Sequence, residues 1–182
     1  MTSRPTLRAD DAFRLRIIRR VEERLLAETG GTREGMVALD AHGAQVTAKI
    51  GDSDEIWFTR AEIAAMAGRV DLVTHNHDDD SAFTVDDLNF AVAVGAREVD
   101  AFGATNRWRL LRAGEFWPRV RAFTAAFNRA ERRVKRELLE QKRAGTFAGD
   151  PFAWADRSGH VWERLQHEHP AWFIVIREDR NG

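Results

Sequence analysis

Apolar residues in the N-terminal stretch recur at helical spacing, with Phe13, Ile17, Ile18, Val21, Leu25 and Leu26 on one face. This predicts an amphipathic helix from Asp10 to about Glu28, capped by Asp10 or Asp11 and stopped by Gly30-Gly31. The period then shortens. MVALD and AQVTAKI read as two strands joined by a turn at Ala41-His42-Gly43, which puts Glu34 at the entry of the first strand. Ile56-Trp57-Phe58 reads as a short strand, and Thr59 with Glu62 forms a capping-box signature for a helix reaching Gly68. Val70 to His77 returns as a strand. After a polar loop from Asp78 to Phe83, the spacing of Val85, Leu88, Ala91 and Val92 predicts a helix over Thr84 to Val94, closed by Gly95. Strands around Val99 to Gly103 and Trp108 to Leu111 bracket a turn at Ala104-Thr105-Asn106.

Beyond Gly114 the pattern changes. Phe116, Val120, Phe123, Phe127, Val134 and Leu138 form one long stripe, which predicts a long helix whose apolar face serves as core or interface. After Thr146 the one readable element is a strand at Ala171 to Ile176. The element order predicts an α/β (α+β) fold, a mixed sheet flanked by helices, with a long C-terminal helical extension. A domain over 1–113 and an extension over 114–182 are the expected units.

The chain has 182 residues, 43% of them hydrophobic and 31% charged, enough to bury a core without staples. No stretch approaches the roughly 20 apolar residues of a membrane span, and the N-terminus lacks the apolar run of a signal peptide. A cytoplasmic protein without membrane contact is therefore expected. Cysteine is absent, so thiolate chemistry is excluded and any metal site must use His, Asp or Glu. Charge is uneven: 12 basic and 19 acidic residues precede Arg107, whereas Arg107 to Arg143 holds 12 basic and 4 acidic. Such a basic stretch can attract nucleic acid. Arg-rich helix faces are more commonly just solvated, and a nucleic-acid partner is not expected.

The chemistry concentrates in T-H-N-H at Thr74 to His77 and T-V-D-D at Thr84 to Asp87. Side chains two apart on a strand share a face and sit about 7 Å apart, so His75 and His77 can address one metal ion. Asp87, in the first turn of the next helix, can supply a third ligand, and catalytic zinc sites hold three protein ligands and leave a position open. Asp87 is equally suited to close a capping box with Thr84. Zinc brings the pKa of water to roughly 7, and a carboxylate is still needed to move the proton. Glu34 is the candidate, although by spacing alone Glu28 and Glu62 also qualify. The run Asp78-Asp79-Asp80 lacks the spacing of a calcium loop and reads as solvated loop. The second His-x-His, His167 and His169, together with His42 and His160, reads as surface.

The order of these residues resembles the JAB/MPN metalloprotease family, in particular its RadC-type and phage head-protein-associated branches. There a distant Glu is followed by His-x-His, a loop and Ser-x-x-Asp. The resemblance covers about Arg33 to Leu111. It implies a cytidine-deaminase-like core, Zn2+ held by His75, His77 and Asp87, Glu34 as general acid/base, and Thr84 at the serine position that supports the oxyanion. Thr84 in place of serine and Asp78 in place of the usual proline depart from the pattern. The implied activity is that of a zinc peptidase or isopeptidase acting on a protein or peptide, including a ubiquitin-like conjugate. The long helix would serve substrate docking or a homodimer. Two other readings stand beside it: a non-catalytic JAB-like module of phage or mobile-element origin acting through the basic helix, and a nuclease using the same metal.

Overall fold

A computed structural model describes residues 9–52 and 55–180, with side chains of the first helix described from Arg14 onward. Because α1 already includes Ala9, Asp10 and Asp11 lie within the helix and do not cap it, while the side chain of Phe13 lies outside the described residues. The elements run α1 (Ala9–Thr29), β1 (Gly35–Leu39), β2 (Gln45–Ile50), α2 (Arg60–Met66), β3 (Leu72–Asn76), α3 (Val85–Val94), β4 (Glu98–Phe102), β5 (Asn106–Arg112), α4 (Val120–Arg143), α5 (Trp154–Glu168) and β6 (Phe173–Asp179). Six strands form one mixed sheet in the order β2-β1-β3-β4-β5-β6. Only β3 and β4 are parallel, and α3 is the crossover between them. The mixed α/β architecture expected from the pattern is the one observed.

Alternation along the strands divides the sheet into two faces. Val73, Val99, Ala101, Trp108 and Leu110 join side chains of α2 through α5 in the larger core. Val37, Leu39, Leu72 and Phe102 face α1 and pack on Ile18, Val21 and Leu25. Gly35 permits that close approach, because a Cβ there would lie 2.9 Å from side-chain atoms of both Leu25 and Thr29. The α4 stripe is spent inside the molecule: Phe123 and Phe127 stack around Trp162 of α5, with ring centroids 5.7 Å away in each case.

Two local expectations change. Ile56-Trp57-Phe58 is not a strand. It joins no strand ladder, and its side chains do the packing instead, with Phe58 lying 4.9 Å from Phe90 of α3. The C-terminal part also holds more than was readable, since α5 was not foreseen and β6 runs three residues beyond Ile176. The expected boundary at 113/114 falls between β5 and α4, and across it β6 pairs with β5 from Asn106 to Arg112. Among the described residues no helix is long and apolar enough to cross a membrane.

Candidate metal centre

Strand β3 carries the site because its side chains alternate. His75 points into the larger core's face, while Asn76 points to the other. The antiparallel register pairs Met36 with His75, and two residues further on it sets Glu34 opposite His77. Asn76 secures this alignment: its Oδ1 accepts from the Gly35 N–H at 2.9 Å and its Nδ2 donates to the Arg33 carbonyl at 2.8 Å. One side chain thus fixes the backbone on both sides of Glu34. Glu34 itself pairs through its backbone with Asp52 and Gly51 beyond β2.

The rings of His75 and His77 lie with centroids 4.7 Å apart, closer than bare strand spacing because they tilt together. Glu34 Oε1 is 3.6 Å from His77 Nε2, and Asp87 Oδ1 is 3.2 Å from His75 Nε2. One ligand atom each from Glu34, His75 and His77 falls within a 4.8 Å group, a spacing that can hold a metal ion. Buried His75 Nε2 makes no hydrogen bond despite its nearness to Asp87. In its neutral form that nitrogen offers a lone pair beside a carboxylate, a pairing that could hold a cation. His77 is oriented from behind, since its Nδ1 sits 3.1 Å from the Ser81 carbonyl and 3.0 Å from the Ser81 hydroxyl. With Nδ1 protonated toward that carbonyl, the Nε2 lone pair faces Glu34.

The competition over Asp87 is resolved by dividing its two oxygens. Oδ2 accepts from the Thr84 N–H at 2.6 Å and from the Thr84 hydroxyl at 2.9 Å, while Oδ1 faces His75. Helix capping and the site therefore use opposite sides of one carboxylate. The hydroxyl proton of Thr84 is engaged by Asp87, and oxyanion support from it would require that bond to be released.

Charges tune one another here. Burial alone would raise the Asp87 carboxyl, but the neighbouring His75 and His77 and the Thr84 amide hold it below the usual carboxylate range. Burial would lower His75, yet Asp87 and Glu34 carry it above its ordinary value. His77 goes the other way, lowered by burial and by His75 beside it.

These residues line a cleft of about 830 Å³ whose walls include Ile56, Trp57, Phe58 and Trp154. Four supporting residues escaped the sequence reading: Asn76, Ser81, Trp57 and Asp80. Asp80 is no solvated loop residue. It adopts φ 57°, and its carboxylate accepts from the N–H groups of Thr105 at 2.8 Å and Asn106 at 3.1 Å, tying the histidine loop to the β4–β5 turn. The alternation in T-H-N-H was the available signal for Asn76. Asp80 and Ser81 gave none, because their partners lie in the folded loop. The other histidines stand apart: His169 stacks on Trp172 at 3.9 Å, and His160 and His167 lie between α4 and α5.

No family model, curated protein or solved structure matches the chain. The site's chemistry therefore carries the functional argument.

Proposed function

We propose that this protein is a zinc-dependent amide hydrolase, a peptidase or isopeptidase with a JAB/MPN-type core. The observation that carries the reading is a buried imidazole nitrogen with no hydrogen bond, His75 Nε2, set among a second imidazole and two carboxylates at the floor of an open cleft. The donor set is nitrogen and oxygen only, which suits zinc. His75, His77 and Asp87 Oδ1 would hold the ion. When bound, zinc supplies Lewis acidity, which acidifies water and polarises a carbonyl.

The chain's own groups account for the remaining steps. Glu34, beside His77 and anchored through Asn76, takes a proton from the attacking water and delivers it to the departing amine nitrogen. Thr84 orients Asp87, and Ser81 fixes the tautomer of His77. The aromatic wall formed by Trp57 and Phe58 excludes water from one side and gives a peptide a surface to lie against.

Metal analysis of freshly purified protein tests this together with a peptide-hydrolysis assay. About one zinc per chain is expected, falling away in His75→Ala; Glu34→Ala should keep the metal and lose hydrolysis. If Glu34→Ala loses the metal while Asp87→Asn keeps it, the two carboxylates exchange roles. Unchanged metal content in His75→Ala would end the proposal. A non-catalytic module acting through the basic α4 predicts salt-sensitive nucleic-acid binding and no turnover of any peptide.

A further inference from the structure

The cleft's charges are one-sided. Beyond Glu34 and Asp87, its lining holds Glu55, Asp78, Asp79 and Asp86, and it contains no Lys or Arg among the described residues. These carboxylates come from three separate segments: the approach to α2, the β3–α3 loop and the first turn of α3. All four residues are exposed, and none forms an ion pair among the described residues. The two cations that flank the cleft's aromatic wall are already neutralised. Lys49, 4.8 Å from the Phe58 ring centre, pairs with Glu62 at 2.8 Å; Arg157, over Trp154, pairs with Glu131 at 2.9 Å.

Trp57 adds a second feature. It is 71% exposed at this wall, an unusual expense of apolar surface for a tryptophan, and an exposed indole face attracts ammonium and guanidinium groups. Buried His75 Nε2, 3.2 Å from Asp87 Oδ1 but without a hydrogen bond, lines the same cleft. Unpaired carboxylates lining a concave surface concentrate a negative potential and repel phosphodiester backbones.

We propose that the cleft selects a cationic peptide segment: lysine or arginine side chains beside the scissile amide lie against Trp57 and the carboxylates Glu55, Asp78, Asp79 and Asp86. This deepens the hydrolase reading and rests on it for the scissile bond, whereas the charge preference is readable by binding alone.

The test uses the full chain carrying Glu34→Gln, loaded with zinc. Binding is followed by anisotropy for two fluorescein-labelled peptides of about ten residues, identical except that one bears lysines and arginines where the other bears glutamates. The basic peptide should bind at least roughly tenfold more tightly, about 1.4 kcal/mol. The preference should shrink as salt rises. It should vanish or invert in Glu55→Lys/Asp78→Lys, and Trp57→Ala, at an exposed position, should weaken the basic peptide alone. Equal binding of the two peptides, failure of both to bind, a preference untouched by the charge reversal, or a labelled single-stranded oligonucleotide that competes for the cleft would each overturn the proposal. With Glu34 restored, hydrolysis of both peptides at equal kcat/KM sinks the charge selection alone. Basic-selective binding without hydrolysis sinks the hydrolase reading alone.

Discussion

The sheet buries two clusters of charge, one on each face, and they are resolved in opposite ways. Under α1, the carboxylates of Glu22, Glu98 and Asp100 meet the guanidinium groups of Arg107 and Arg109: Arg107 reaches Asp100 at 2.7 Å and Glu22 at 3.1 Å, and Arg109 reaches Glu98 at 2.6 Å. On the other face, Glu34 and Asp87 meet imidazoles, with no guanidinium or ammonium group lining the cleft. Both clusters leave buried nitrogens without hydrogen bonds, Arg107 Nε and His75 Nε2. Arg107 Nε faces Glu22 and carries a permanent positive charge, whereas His75 Nε2 faces Asp87 and offers a lone pair only when the ring is neutral. Buried carboxylates need a cation. The first cluster encodes its cation in the sequence, and the second could hold one from outside.

The comparison breaks most visibly at Glu34. In Glu34→Gln, zinc content should hold while peptide turnover falls by about 10²- to 10⁴-fold, the usual range for a lost general acid/base. A steady-state assay beside metal analysis reads both. On the opposite face the effect should be structural. Arg107→Met leaves Asp100 and Glu22 buried without their principal cation, and urea unfolding should show a loss of about 3–5 kcal/mol with metal content unchanged. Coupled loss of zinc in the still-folded variant would contradict the independence of the two clusters.

A smaller change is expected behind His77. Ser81→Ala removes the hydroxyl but keeps the backbone carbonyl, so zinc affinity measured by chelator competition should weaken by about tenfold, the lower end of such supporting contacts. A further effect is a slope. Burial, reinforced by Glu98 and opposed by Arg107 and Arg109, pushes Asp100 up to about 7. The folded state therefore holds a proton that the unfolded chain releases near its ordinary value of 3.8. That contribution to stability is present at low pH and is lost as pH rises through this window, by at most about 1.4 kcal/mol per pH unit for one proton. Asp100→Asn should flatten that part of the stability curve, read from urea midpoints across the window.

Much of this architecture is legible in the chain because its signals are local. Thr59 with Glu62, and Thr84 to Gly95, mark α2 and α3 within two residues of their bounds, since capping and the left-handed stop at Gly95 act through immediate neighbours. His75, His77 and Asp87 are legible for a related reason: strand alternation and a helix's first turn fix where side chains point. Spacing alone left Glu34 level with Glu28 and Glu62, and the fold is what brings it beside the two histidines. What the pattern conceals is long-range. The alternation in Glu98-Val99-Asp100 reads as a strand wet on one side, and nothing nearby says that α1 covers that side with Glu22. Ile56 to Phe58 has strand composition but no ladder partner, a fact belonging to the sheet and not to the segment. Helix α5 carries Trp154, Val161, Trp162 and Leu165 at helical spacing, but Ser158 and Gly159 interrupt that stripe and no side-chain cap marks its start.

That helix clamps the histidine loop from far along the chain. Ser158 Oγ accepts from the Ala82 N–H at 2.8 Å, and Trp162 Nε1 donates to the Phe83 carbonyl at 2.6 Å. Every candidate ligand leaves the ribosome before these two side chains do. At about 5–20 residues per second, the ligands wait roughly 4–15 s for the clamp. The nascent chain therefore carries all the candidate ligands before the loop that aims them is clamped, and the final geometry is set only after synthesis has passed α5.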